Sequence, residues 1–323
     1  MKKSSIILLC LCAFCFSVNA QKKTSGSQEI ILKPSAGLQD LVNRAAAETL
    51  EKFSSKGLKA ENLAITLIDL RDPNNLETAN FRGEEKIYPA SVVKLFYEVA
   101  LHQWLENGKL KQTPALERAE KDMIVISSNE ATQFIVDALT ETHNGEELSP
   151  EKLKKYGENR DVVNRYFAAH GFQNVNVNQK TYCEDLYGRE RQWWNAGKNR
   201  NALTTNATAR LLAEIALGKA VTSEHSAQIL DLMKRDWEGT STDPDDQAHG
   251  FTGIALNNLN LKGAKLWSKA GWTSDSRHDA AYIETPAGLK FVLVTFTTNV
   301  ANERDIIPNV AAIVLRNLSA IKN

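Results

Sequence analysis

The pair Ser91 and Lys94 has the residue types and the spacing of an activated nucleophile. Pro89 and Ala90 lead into a helix predicted over about 92–107, so the Ser91 hydroxyl lies at the positive end of a helix dipole. Because residues three apart share a helix face, the Lys94 amine is within reach of the serine oxygen. Apolar neighbours would desolvate that amine and lower its pKa, and a neutral lysine is a base. The alternative is a serine N-cap followed by a lysine whose charged end extends into water.

The chain contains two more Ser-x-x-Lys matches, and a structural role at a helix end explains each of them. Ser149 opens a helix with proline at its first turn, ahead of Lys152, and Ser319 and Lys322 lie at the end of the last predicted helix. A match of this length is therefore weak evidence unless other residues support it.

Two further short motifs carry polar groups that could face a cleft. Ser127-Ser128-Asn129 connects two apolar helical segments, and Ser127 with Glu130 also fits a capping box. Lys269-Ala270-Gly271 continues a predicted strand, where the glycine permits close backbone approach. Taken singly, a capping box and a solvated strand lysine would explain both motifs.

In this order and in these settings, the three motifs resemble the signature S-x-x-K, S-x-N and K-[ST]-G of the serine β-lactamase and penicillin-binding protein superfamily. The chain looks closest to class A β-lactamase-like serine hydrolases, from its first predicted helix to its last. The resemblance implies that Ser91 is acylated, that Lys94 helps to take its proton and that Ser127 passes a proton to the leaving nitrogen.

The same resemblance implies the groups that hold the substrate. Asn129 and Lys269 would bind it, beside Gly271, and the backbone N–H groups of Ser91 and Trp272 would form the oxyanion hole.

The third motif departs from the family pattern at Ala270, where the family has threonine or serine. One hydroxyl for a substrate carboxylate is therefore missing, and we expect Thr273, Ser274 or Arg277 to replace it.

The family resemblance also implies a glutamate that activates the water for deacylation, on a loop ahead of Thr204. That loop offers Glu184 and Glu190, with Asn195 nearby, and we favour Glu190 as the catalytic base. Surface charge on an aromatic-rich loop is the alternative for both glutamates.

Three functions follow from these motifs. The first is a secreted serine hydrolase that hydrolyses β-lactams through an acyl-enzyme on Ser91, as class A β-lactamases do. The second is a penicillin-binding peptidase-like enzyme, or another ester or amide hydrolase, with slow deacylation. The third is a secreted binding or sensing module without chemistry. The expected substrate is a small β-lactam or a peptide-like amide, and we expect a monomer.

The elements that must position these motifs indicate an α/β (α+β) fold. Helical periodicity covers 38–53 and 306–321, strands are predicted at 63–70, 264–268, 280–284 and 289–297, and a tight turn at 285–288 joins the last two. Residues 91–241 are predicted to be helix and loop. We expect an antiparallel sheet of about five strands flanked by the terminal helices (36–85 and 245–323), with an all-α lobe (86–244) inserted in the middle.

The amino-terminal residues are typical of an export signal. Lys2 and Lys3 precede a short apolar run that ends at Ala20, which predicts a signal peptide over residues 1–20 and a periplasmic or secreted protein. A lipid anchor on Cys15 is disfavoured because the bulky Phe14 precedes it.

Composition limits the remaining function classes. Lysine plus arginine and aspartate plus glutamate number 39 each, with no long run of like charge, so nucleic acid is not an expected partner. Cys183 is the only cysteine after the predicted signal peptide, which excludes an internal disulfide, and we expect a packed thiol. The six histidines form no His-x-His or His-x-x-x-His pair, so neither a metal site nor a cofactor is expected.

Overall fold

The computed structural model describes residues 30–321. The predicted signal peptide, its cleavage site after Ala20 and Cys15 lie outside the described residues, so export remains a prediction. Among the helices that the structure describes, none combines the length and apolarity needed to cross a bilayer.

A single seven-stranded sheet forms the centre of the described fold, in the order β1-β3-β2-β7-β6-β5-β4. All neighbouring strands are antiparallel except β1 and β3, which are parallel. The strands are β1 (Lys33–Pro34), β2 (Leu63–Asp69), β3 (Glu77–Phe81), β4 (Lys234–Arg235), β5 (Lys265–Trp272), β6 (Ser276–Glu284) and β7 (Lys290–Thr298).

The helices pack on both faces of this sheet. In chain order they are α1 (Ala36–Phe53), α2 (Lys94–Glu106), α3 (Pro114–Val125), α4 (Asn129–Thr140), α5 (Pro150–Arg160), α6 (Val162–Ala169), α7 (Gly188–Trp194), α8 (Thr205–Ala216), α9 (Ser223–Met233), α10 (Thr252–Asn258) and α11 (Ile306–Asn317). The predicted fold class, with terminal helices against an antiparallel sheet and a helical lobe from the middle of the chain, is confirmed. The exact limits of the two lobes remain a prediction.

Strand β2 shows how the sheet joins the two layers. All seven of its residues are buried. Leu63, Ile65 and Leu67 pack in the core that α1 and α11 share, whereas Ala64 and Ile68 pack in the core of the helical lobe. Because successive side chains of a strand point to opposite faces, one apolar run supplies both cores.

Two expectations about the strands need correction. The sheet has seven strands instead of about five, because β1 and β4 are two-residue strands too short to produce an alternating pattern. Strand β4 pairs with β5 from within residues 91–241, which the sequence predicted to be helix and loop. The predicted turn at 285–288 is confirmed, since the Gly288 N–H donates to the Thr285 carbonyl and Gly288 has a positive φ of 87°.

The three motifs meet where the helical lobe touches the edge of the sheet. The 3-10 turn Ala90–Val93, which precedes α2, packs against β5 and β6. The connection between α3 and α4 carries the second motif, and β5 carries the third.

Candidate active site

Ser91 lies in the 3-10 turn at the start of α2, and its backbone is tightly fixed. Ala90 has a positive φ of 46°, a conformation that costs an alanine roughly 1–2 kcal/mol. The Val92 N–H donates to the Pro89 carbonyl at 3.1 Å. The buried His278 ring accepts from the Thr297 N–H through Nδ1 at 3.2 Å, so its Nε2–H donates to the Tyr88 carbonyl at 2.9 Å.

Gly271 is required because strand β5 passes directly against the nucleophile. A Cβ at this position would lie 2.7 Å from the Ser91 nitrogen and 2.8 Å from the Pro89 oxygen. Both distances are shorter than atomic contact permits, so any side chain would push β5 away from the turn. Trp272 is the next residue on β5, and its N–H as the second donor of an oxyanion hole remains a prediction.

Lys94 is completely buried, which excludes the alternative of a lysine that extends into water. Its amine donates to the Ser127 carbonyl at 2.5 Å, to Ser127 Oγ at 3.2 Å and to Asn129 Oδ1 at 2.9 Å. Among the described residues, its hydrogen bonds thus run to the second motif and not to Ser91 Oγ. Burial lowers the pKa of Lys94 to about 7, partly opposed by Cys183 and Glu130.

Ser127 is released from the helix-capping role that the sequence allowed. Its φ is +59°, and the N-cap of α4 is Ser128, whose Oγ accepts from the Ala131 N–H at 3.1 Å. The capping box with Ser127 at its start is therefore wrong by one residue. The Ser127 hydroxyl instead lies between two amines, 3.2 Å from Lys94 Nζ and 2.9 Å from Lys269 Nζ.

Lys269 is also fully buried and directed at the same hydroxyl. Burial, together with the charges of Lys94 and Arg235, holds its pKa well below the usual range for lysine. Two ammonium groups on one hydroxyl oxygen would repel each other, which favours a neutral amine in this pair. A serine nucleophile, a bridging serine and an uncharged amine are the parts of an acyl-transfer site.

Comparison with known proteins agrees with this geometry. The model of the beta-lactamase enzyme family matches residues 112–318, which is more than half of the chain. This chain belongs to the beta-lactamase enzyme family. It is a serine hydrolase of the β-lactamase type. The matched residues include Ser127 and Lys269, whereas Ser91 and Lys94 precede them and are assigned from the motif and its setting. A search of curated proteins found no match.

Solved structures show the same fold at low sequence identity. A β-lactamase from Sphaerobacter thermophilus is 18% identical, with a TM-score of 0.62 over 87% of this chain and 99% of that chain. A PBP-A variant in an acyl-enzyme complex with penicillin G is 18% identical, with a TM-score of 0.60 over 90% and 98%. A class A β-lactamase representative from Bacteroides cellulosilyticus is 15% identical, with a TM-score of 0.57 over 87% and 99%.

Two polar residues of this β-lactamase-family site were missed in the sequence. Gln247 Oε1 accepts from Lys269 Nζ at 2.8 Å, and its Nε2 donates to the Val125 carbonyl at 2.9 Å. Arg235 on β4 donates to the Ser268 carbonyl at 2.8 Å and lies close enough to oppose a charge on Lys269. Neither residue belongs to a local motif, so only the tertiary contacts reveal them.

The structure does not bring Arg277 to the amines of the β-lactamase-family site. Arg277 pairs with Trp272 across β5 and β6, whereas Lys269 pairs with Ala280. Because paired residues share a face and neighbours alternate, Arg277 and Lys269 lie on opposite faces of the sheet. Its guanidinium donates to Asp245 Oδ1 at 2.6 Å and stacks on Phe251, and Arg277 as a substrate-binding residue remains a prediction.

Ala270 lacks the hydroxyl that the family has at this position, and the residues expected to replace it differ in exposure. Ala270 is buried against Phe251 and Ile307. Thr273 and Ser274 are exposed, and Thr273 Oγ1 accepts from the Ser276 N–H at 3.1 Å in the turn between β5 and β6. The Thr273 hydroxyl proton stays available, so Thr273 as a substrate-binding residue remains a prediction.

Glu190 lies in a buried ion-pair cluster under the long loop of this β-lactamase-family protein. Its Oε1 accepts from Tyr156 Oη at 2.5 Å, from Arg160 Nη1 at 3.1 Å and lies 3.3 Å from Lys180 Nζ. Cys183 and Glu130 are the groups that hold the pKa of Lys94 up against burial. The contacts of Glu190 favour a structural role over the predicted catalytic one.

Cys183 and Glu184 are exposed on the same loop. The expectation of a packed thiol is therefore wrong. The Asn129 side-chain amide donates to Cys183 Sγ at 3.1 Å, while its carbonyl oxygen accepts from Lys94. The thiol thus borders the polar end of the site, next to the predicted substrate-binding asparagine.

Proposed function

We propose that this protein hydrolyses β-lactams through an acyl-enzyme on Ser91, and that release of the acyl group is the slow step. The buried Lys94 amine, with a pKa near neutrality and held against Ser127, is the observation that carries the proposal. An amine that is neutral at physiological pH can accept the proton that a serine hydroxyl must lose before it attacks a carbonyl.

Acylation then proceeds by proton transfers among three neighbouring groups. Lys94 takes the proton of Ser91 as the serine oxygen bonds to the lactam carbonyl carbon, and the oxyanion accepts from the N–H groups of Ser91 and Trp272. The C–N bond breaks as Ser127 gives its proton to the leaving nitrogen, and the protonated Lys94 restores it at a distance of 3.2 Å. Lys269 binds the carboxylate of the substrate.

Deacylation has less support from the described residues. Glu190 as the water-activating base remains a prediction, and its carboxylate is engaged by Arg160 and Lys180. Glu184 is exposed on the loop. Because the Glu190 carboxylate is held by Arg160 and Lys180, we expect water to attack the acyl-enzyme slowly.

This same observation favours a second candidate, a penicillin-binding peptidase-like enzyme or another amide or ester hydrolase. Such an enzyme would form a persistent adduct with β-lactams, and a PBP-A variant of similar fold is known as an acyl-enzyme complex with penicillin G. The third candidate, a binding module without chemistry, predicts no covalent adduct. Export through residues 1–20 is part of the proposal, and the mass of the protein recovered from the periplasm of an expression host would show whether cleavage follows Ala20.

Intact-mass spectrometry with penicillin G and turnover of a chromogenic cephalosporin test these candidates together. A penicilloyl adduct and a burst followed by slow, sustained colour support the proposal. A burst without turnover favours the second candidate. No adduct on the wild-type protein would refute both.

Ser149→Ala is the matched control for Ser91→Ala in this experiment. Ser149 has the same spacing to Lys152, but it caps α5 on the surface. We expect Ser91→Ala to lose the adduct and Ser149→Ala to keep it, at a stability cost of about 1 kcal/mol for the lost cap.

A further inference from the structure

A second cluster of titratable side chains lies in the helical lobe, separate from Ser127 and Lys269. Glu98 and His102 come from α2, and Glu120 comes from α3. One oxygen or nitrogen of each residue lies within 4.8 Å of the others, and all three residues are buried. The reaction proposed above uses none of them.

The histidine of this cluster is oriented by a chain of hydrogen bonds. His225 Nε2 lies 3.3 Å from Glu106 Oε2, and His225 Nδ1 lies 2.6 Å from His102 Nδ1. Since a carboxylate only accepts, a neutral His225 carries its proton on Nε2, and its Nδ1 accepts from the Nδ1–H of His102. In a neutral His102 ring, which is the form that binds a metal, the lone pair then lies on Nε2.

That lone pair meets negative charge. His102 Nε2 lies 3.4 Å from Glu98 Oε1 and 3.0 Å from Glu120 Oε1, yet it makes no hydrogen bond with either oxygen in the described structure. Neither oxygen of Glu98 has a hydrogen-bond partner there, although the residue is completely buried. A nitrogen lone pair and two carboxylates repel each other unless a proton or a metal ion lies between them, and an uncompensated buried carboxylate is costly.

We propose that Glu98, His102 and Glu120 bind a divalent transition-metal ion of the Zn²⁺ type. Zinc bonds of about 2.0–2.2 Å to nitrogen and oxygen place tetrahedral ligands about 3.4 Å apart, close to the separations found here. Two carboxylates and a neutral imidazole carry two negative charges, which the ion balances. An imidazole ligand favours Zn²⁺ or Co²⁺ over Mg²⁺, which prefers oxygen.

The surroundings provide outer contacts and an adjoining cavity. Gln112 Nε2 donates to Glu120 Oε2 at 3.3 Å, and His225 holds the far nitrogen of His102, as outer-shell groups of metal sites do. A cavity of about 960 Å³ is lined by His102, Glu120 and His225. The cavity borders the cluster at His102 and Glu120, whereas His102 Nε2 and both Glu98 oxygens are shielded from it.

Two of the three proposed metal ligands can be recognised in the sequence. Glu98 and His102 are four residues apart on one helix, a spacing that places both on the same face. A glutamate and a histidine four residues apart differ from the histidine pairs whose absence led to the expectation of no metal site. The third ligand comes from another helix and could be found only in the folded structure.

Metal binding by the purified protein tests the proposal directly. After treatment with EDTA and dialysis against Zn²⁺ or Mg²⁺, we expect one Zn²⁺ and no Mg²⁺ per chain by elemental mass spectrometry. Bound Co²⁺ should show the visible d–d absorption of a mixed imidazole and carboxylate site. Zn²⁺ should also raise the melting temperature of the wild-type protein, because an ion that binds only the folded state stabilises it.

Isosteric variants locate the site. Glu98→Gln should weaken Zn²⁺ binding by about 100-fold and abolish the rise in melting temperature, and His225→Asn should weaken binding by roughly 10–100-fold. Glu120→Gln gives a second test if Glu98→Gln does not fold. His249→Asn is the control, since His249 forms a surface pair with Asp246, and it should bind as the wild type does.

Three results would overturn the proposal. The first is that the wild-type protein binds no Zn²⁺. The second is that Glu98→Gln and Glu120→Gln both bind Zn²⁺ as tightly as the wild type. The third is that only His249→Asn loses binding. Ser91→Ala should retain the ion, so the metal site and the acyl-enzyme can fail independently.

Discussion

The pKa of Lys94 makes the pH dependence of acylation a strict test of the proposed base. A pKa of about 7 implies that about 1% of the amine is neutral at pH 5 and about 90% at pH 8. If only the neutral amine accepts the serine proton, the acylation rate should rise about tenfold per pH unit below pH 6 and level off above pH 8. The total increase between pH 5 and pH 8 is about 90-fold.

Stopped-flow measurement of the burst with a chromogenic cephalosporin isolates acylation from deacylation. Lys269, Cys183 and Glu130 are the charged or titratable neighbours that can move the midpoint. Removing the charge of Glu130 with Glu130→Gln takes away an interaction that favours the ammonium form, so the midpoint should move to lower pH. A flat profile between pH 5 and pH 8, or a midpoint near pH 10, would refute the role of Lys94 as base.

The same pKa predicts how stability changes with pH. A pKa of about 7 in the folded protein, in place of 10.5, corresponds to about 5 kcal/mol in favour of the neutral amine. Between about pH 7 and pH 10.5 the unfolded chain binds the proton and the folded chain does not, so stability rises with pH; the cost of the buried ammonium is complete below pH 7 and gone above pH 10.5. Lys94→Met should abolish both acylation and the rise in stability between pH 7 and pH 10.5, and this variant should be folded at pH 6.

Three further predictions follow from particular contacts. Gly271→Ala should lower the acylation rate by about 100-fold or more, because its Cβ would displace the backbone at Ser91; an unchanged rate would contradict the close approach. Glu190→Gln should cost about 3–5 kcal/mol in urea unfolding, because it leaves Arg160 buried without its anion; a loss of deacylation at unchanged stability would instead support the catalytic role. Iodoacetamide should alkylate the exposed Cys183 and slow acylation, whereas Cys183→Ser should retain activity and resist the reagent; equal sensitivity of both proteins would exclude this thiol.

The correct sequence predictions all depend on short-range patterns. The 3.6-residue period predicted α1 and α11, and β-branched apolar runs predicted β2 and β7. All four predictions are correct because each element buries the apolar residues that form its pattern. The errors arose where the pattern was too short or had two interpretations. Strand β4 has two residues, and the serine that caps α4 is Ser128 and not Ser127.

The sequence by itself determined which residues could react and on which element each would lie. Ser91 lies in the 3-10 turn and Lys94 begins the helix that follows it, so local backbone geometry alone sets their spacing. Only the tertiary structure decided that Lys94 is desolvated, that Gln247 holds Lys269, and that Arg277 and Glu190 are bound elsewhere. These outcomes depend on side chains from segments distant in sequence, and on the strand register that sets which face each residue occupies. Neither is encoded in a window of a few residues, because contact and burial arise only when the segments pack.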